Sequence, residues 1–72
     1  MAMTKVEAEV TGKVWKLVAR VGDPLNAEDP ILIVESMKME IPVVCPRKGT
    51  LARVLVKEGD PVVEGQVVAE IE

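Results

Sequence analysis

Gly12-Lys13-Val14-Trp15-Lys16-Leu17-Val18-Ala19-Arg20-Val21-Gly22-Asp23-Pro24-Leu25 recurs in altered letters as Gly49-Thr50-Leu51-Ala52-Arg53-Val54-Leu55-Val56-Lys57-Glu58-Gly59-Asp60-Pro61-Val62. The offset is 37 positions, and it also lays Glu35 on Glu72. Apolar Trp15, Leu17 and Ala19 fall on Ala52, Val54 and Val56, while Lys16 and Arg20 fall on Arg53 and Lys57. Turn and charge alternation repeat together, so the chain is two half-domains of one plan.

Within each half the apolar period is two. Trp15, Leu17 and Ala19 alternate with Lys16, Val18 and Arg20, and Val67, Ala69 and Ile71 alternate with Gln66, Val68, Glu70 and Glu72. Such alternation marks strands with one dry and one wet face. Ile31–Val34 is a continuous apolar run, as a sheet-on-sheet core accepts. The spacing predicts strands at Lys5–Glu9, Val14–Arg20, near Leu25, Ile31–Ser36, Glu40–Cys45, Leu51–Lys57, near Val62, and Val67–Ile71. Pro30, Pro42 and Pro46 belong at strand starts or edges, where a missing N–H is harmless. The two Gly-Asp-Pro stretches read as turns: glycine takes φ > 0, and aspartate is expected to bond the backbone two residues on. Eight short antiparallel strands in two related halves predict an all-β sandwich or flattened barrel.

Composition narrows the function. At 72 residues the chain makes one domain, 1–72, near the lower limit of what folds without staples. It is 49% hydrophobic and has one aromatic residue, so aliphatic side chains must supply the core, and Trp15 is expected to join it. Cys45, the lone cysteine, has no internal disulfide partner and is expected to be a small core or edge residue. Without histidine, zinc lacks its usual ligands and general acid–base catalysis its usual agent, so no metal and no catalytic residue is expected. A net charge of -3 with scattered basic residues speaks against nucleic acid. No apolar run suits a membrane span and no leader pattern opens the chain. A cytoplasmic location is expected, with a free thiol to match.

Between the halves stands Glu35-Ser36-Met37-Lys38-Met39-Glu40. Under the repeat this gap corresponds to the break between the chain ends. The Lys38 turn and the termini are therefore expected at opposite poles. Alone, Met-Lys-Met is compatible with plain strand and core methionines. As a two-residue hairpin loop, however, Met37-Lys38 breaks the preference for Asn-Gly or Gly-X. Departures of that kind mark functional sites. A lysine in water is protonated at neutral pH and a poor nucleophile unaided. It suits acylation by a separate enzyme better than catalysis of its own.

The six-residue stretch, the apolar run leading into it, and Gly22-Asp23-Pro24 and Gly59-Asp60-Pro61 with Gly65-Gln66 together resemble the biotinyl/lipoyl attachment family, closest to a thumbless biotin carboxyl carrier domain or a free-standing biotin/lipoyl attachment protein. The resemblance implies two four-stranded antiparallel sheets with pseudo-two-fold symmetry, a barrel-sandwich hybrid. It implies biotin attached covalently to Lys38 by biotin protein ligase, using biotinyl-AMP. The carrier would move carboxybiotin between a biotin carboxylase and a carboxyltransferase. Glu35, Ser36, Met37, Met39 and Glu40 match the flanks that the ligase reads. Methionines on both sides match biotin, whereas lipoyl members usually carry Asp-Lys-Ala; a lipoyl or dual carrier with lipoate on Lys38 is the alternative. Ser36 stands where alanine is common. The halves align without a gap, leaving no room for the thumb loop of some carriers.

Overall fold

The computed structural model describes residues 3–72. Its elements are β1 (Thr4–Glu7), β2 (Gly12–Leu17), β3 (Pro24–Leu25), β4 (Pro30–Ser36), β5 (Met39–Val44), β6 (Gly49–Val54), β7 (Pro61–Val62) and β8 (Val67–Ile71). They form two four-stranded antiparallel sheets, ordered β1-β8-β6-β3 and β5-β4-β2-β7. Adding four to each strand number turns the first order into the second, with β8 wrapping to β4. Each sheet thus takes two strands from each half of the chain.

The repeat extends to the core. Val6, Ala8, Val14, Ala19, Leu25, Ile31, Leu32 and Val34 are buried, and so are their mates Val43, Cys45, Leu51, Val56, Val62, Val68, Ala69 and Ile71. No other described residue is a buried hydrophobic. Cys45 accordingly lies inside, its Sγ donating to the Arg47 carbonyl at 2.8 Å.

The simple alternation read from the sequence fails at two bulges, each present twice. Pairing slips between Val14 and Lys16, and at the mated step between Leu51 and Arg53. It slips again at Ile31 and at its mate Val68. A bulge sets two residues against one and reverses which side chains face inward beyond it. Val14 and Ala19 are therefore buried, and Trp15, expected in the core, is 49% exposed. Strands two and six also begin and end earlier than predicted. After Leu17 both Val18 N–H and Ala19 N–H donate to the Ile31 carbonyl, which ends the ladder.

The glycine turns form as expected, with Gly22 at φ 98° and Gly59 at φ 93°. The aspartates bond differently from the expectation. Asp23 accepts from Arg20 N–H, three residues back, and Asp60 from Lys57 N–H. Both turns close their own start rather than the chain ahead.

At one position the backbone keeps the internal symmetry and the residue type does not. Gly65 sits at φ 88°, and its mate Glu28 holds φ 72°. A side chain with Cβ is strained in that region. Glu28→Gly is expected to raise stability by about 0.5–1 kcal/mol, or a few degrees in melting temperature. A thermal melt that stays put or falls would show that the turn is unstrained.

Candidate functional site

The β4–β5 hairpin carries the central stretch. Ser36 pairs with Met39, so Met37 and Lys38 are the two loop residues. Their φ values are 51° and 65°. Positive φ at both central positions is the primed geometry that suits the right-handed twist of a hairpin. Glycine or asparagine normally supplies it, because Cβ crowds the backbone there. Here two long side chains do. The loop residues are thus held in a costly conformation by the strands on either side.

That conformation presents the side chains to solvent. Met37 is 92% exposed and Met39 62%, so neither methionine is core. Lys38, Glu35 and Glu40 are exposed as well. Glu35 lies directly opposite Glu40 on β5 and opposite Lys13 on β2, giving one row of charges beneath the tip. Like charges directly opposed destabilise a sheet slightly. Both carboxylates are therefore retained at some cost next to Lys38.

The root of the hairpin is held from behind. Ser36, half-buried, donates from Oγ to the Thr11 carbonyl at 2.8 Å. Thr11 Oγ1 accepts from Glu64 N–H at 3.0 Å, tying the β7–β8 turn into the same support. Gly12 packs beside this link. A Cβ built there would strike the Glu35 carbonyl oxygen and lie 2.8 Å from Val34 Cγ1. The sequence reading drew together Glu35, Ser36, Met37, Lys38, Met39 and Glu40, and the hairpin unites them at one end. Thr11, Gly12 and Glu64 were missed. Gly12 left a signal, since it matches Gly49 across the repeat.

Thr4 and Ile71, near the two ends of the described chain, lie away from this tip. Arg47 follows the far end of β5, and its Nε donates to Thr4 Oγ1 at 2.7 Å while Nη2 reaches the Ile71 carbonyl at 3.3 Å. The length of β5 therefore separates Thr4 and Ile71 from Lys38, in the sense the repeat predicted; residues 1 and 2 lie outside the described residues. An amine at the end of a four-carbon stem, on an exposed turn, is open to a partner from solvent. That fits an acyl acceptor and does not fit a nucleophilic catalyst.

A family model described as "Biotin-requiring enzyme" matches residues 1–71. The biotin/lipoyl attachment protein of Bacillus subtilis is 42% identical over 66 residues, 92% of this chain and 90% of that protein. Pyruvate carboxylase of the same organism is 40% identical over 67 residues, 93% of this chain but 6% of the carboxylase. The crystal structure of Kluyveromyces lactis urea carboxylase superposes with a TM-score of 0.95 at 39% identity, covering 100% of this chain and 6% of that one. The match to carboxylases is thus with a small part of each.

Proposed function

This chain belongs to the biotin/lipoyl attachment family, and we propose on that premise that Lys38 accepts biotin in an amide bond. Attachment domains of this kind are carriers rather than catalysts, and this one has the fold of the matching part of a urea carboxylase. The observation that carries the reading is the loop itself: Met37 and Lys38 both at positive φ, exposed, at the end of the domain away from Thr4 and Ile71. The Lys38 amine, once deprotonated within the ligase site, attacks the activated carboxyl of biotinyl-AMP, and AMP leaves. Biotin held there supplies carboxyl transfer, with Lys38 and its hairpin providing reach and orientation. Residues 1–72 then form one carrier domain that serves a biotin carboxylase and a carboxyltransferase in the cytoplasm.

Intact mass after co-expression with biotin protein ligase tests this. An increment of one biotinyl group supports it. Loss of any increment with both a biotin ligase and a lipoate ligase sinks the carrier reading. Lipoate on the same lysine is the second reading, favoured by the name of the 42%-identical relative, which covers both groups.

The flanks separate the two. Met37 and Met39 are exposed on either side of Lys38, where a ligase surface meets them first. Met37→Asp with Met39→Ala is expected to slow biotinylation about tenfold or more, the equivalent of about 1.4 kcal/mol. Steady-state rates with a biotin ligase measure it. An unchanged rate means that the ligase ignores the methionines.

A further inference from the structure

The pseudo-two-fold gives each surface position a mate in the same local geometry, and the two outer faces differ. On β1-β8-β6-β3 the pair Arg53 and Glu70 carries charge on the outer face, with Arg53 Nε 3.6 Å from Glu70 Oε1 across the register pair, and Lys5 pairs with Glu70 from the other side. The mates of Glu70 and Lys5 on the hairpin-bearing sheet are Ile33 and Pro42, which pair with one another. Beside them, in the place of Ala52, stands Trp15 at the β2 bulge. Lys16 keeps the charge of its mate Arg53 opposite Ile33, but the acidic partner is gone, and Trp15, Ile33 and Pro42 leave an apolar shelf beside it. Trp15 is the chain's only aromatic residue and stands 49% exposed, on the sheet whose hairpin ends in Lys38.

Exposing an indole forgoes one of the largest burial gains a side chain offers. Three residues are too few for a protein partner, which needs roughly 20–30 on each side. They match one ring. The Ile33–Pro42 row lies four residues below Met37 along β4, about 13 Å at the usual strand rise. An amide-linked biotin extends about 14 Å from the lysine Cα to its ring, counting about eleven bonds.

We infer that Trp15, Ile33 and Pro42 form a resting shelf for the acyl group carried on Lys38, with the sulfur-containing ring folded back against the indole. This rests on the acylation of Lys38 proposed above. Sulfur beside an aromatic ring makes a favourable contact, and the ring leaves its surroundings unstrained when it swings away. The shelf would shield the ring from water between encounters with partner enzymes. The opposite sheet, with Ala52, Glu70 and Lys5 in the same places, offers no such surface.

Trp15 emission reads the shelf directly, because no other aromatic contributes. Unmodified chain and chain biotinylated by biotin protein ligase are compared, with intact mass confirming the increment. The modified form is expected to show blue-shifted emission and about twofold lower quenching by acrylamide. Ile33→Glu, which copies Glu70, is expected to biotinylate normally and lose the difference. A full increment with unchanged emission and quenching overturns the shelf alone and leaves the carrier reading intact. Absence of any increment removes both. A difference that grows with protein concentration overturns the shelf too, since it would mean that a second copy covers Trp15.

Discussion

Lys38→Arg is expected to abolish covalent loading completely while leaving the fold in place. Arginine keeps the positive charge, a long stem and the same Cβ, so the φ of 65° is no harder to hold. Lys38 is exposed, with no hydrogen bond or ion pair from its side chain among those described. Surface changes of that kind stay within about 0.5 kcal/mol. What changes is the chemistry. A guanidinium stays protonated and is not an acyl acceptor under conditions where a primary amine is. Intact mass after ligase treatment should therefore show no biotinyl increment, with a melting curve that overlays the parent. The chain contains other lysines, among them Lys13 beneath the tip and Lys48 near the opposite end. An increment surviving in Lys38→Arg would place the acceptor on one of those and end the reading of the hairpin.

Gly12→Ala carries the largest expected loss of stability. The added methyl would collide with the backbone oxygen of Glu35 and with Val34 Cγ1. Both belong to β4, which is paired on both sides, so the strand cannot step aside. Forcing extra volume into such a site costs about 1–3 kcal/mol, which in a domain of this size lowers the melting temperature by about 10 °C. The collision also pushes the root of the hairpin. The mutated chain should load more slowly than its folded fraction alone predicts.

Gly49 supplies the control, because the repeat puts it in the same geometry. Its Cβ would meet Ile71 Cγ2 at 2.5 Å and the Glu72 carbonyl oxygen at 2.7 Å. The backbone oxygen approaches Gly49 less closely than Gly12, and neither Ile71 nor Glu72 belongs to the hairpin. Gly49→Ala is therefore expected to cost less than Gly12→Ala, and to leave loading per folded molecule unchanged. Urea denaturation of both, with loading rates alongside, checks the ordering. Equal losses would show that the hairpin root is no more tightly held than the chain end.

The 37-residue repeat and the turn chemistry were open to reading because each is local. A glycine at φ > 0 announces itself by being glycine, and alternation along one strand needs no knowledge of its neighbour. Lys38 was legible for the opposite reason: Met37-Lys38 stands where local chemistry asks for something else. Trp15 was misread because strict alternation was carried through a bulge. A bulge depends on the pairing of β2 with β4, and that pairing involves residues almost twenty positions away. Ser36 was read only as a flank beside the lysine, since its bond to the Thr11 carbonyl spans 25 positions.

By itself, then, the sequence determined that this chain is two copies of one β plan, which residue types form its core, and that Lys38 stands at the join. Periodicity reports which face of a strand is dry, and the repeat reports that both halves agree. Tertiary structure alone decided which edges meet. Each half gives two strands to either sheet, so β2 comes to lie beside β7, and β4 beside β5, of the other half. Strand edges carry the same backbone donors and acceptors whatever the sequence, so side-chain patterns cannot name the neighbour. The partner is selected when the two halves close on their shared core. That closure builds the Thr11–Ser36 support behind the hairpin, leaves Trp15 in water, and holds Lys38 in its strained turn at the end of the domain.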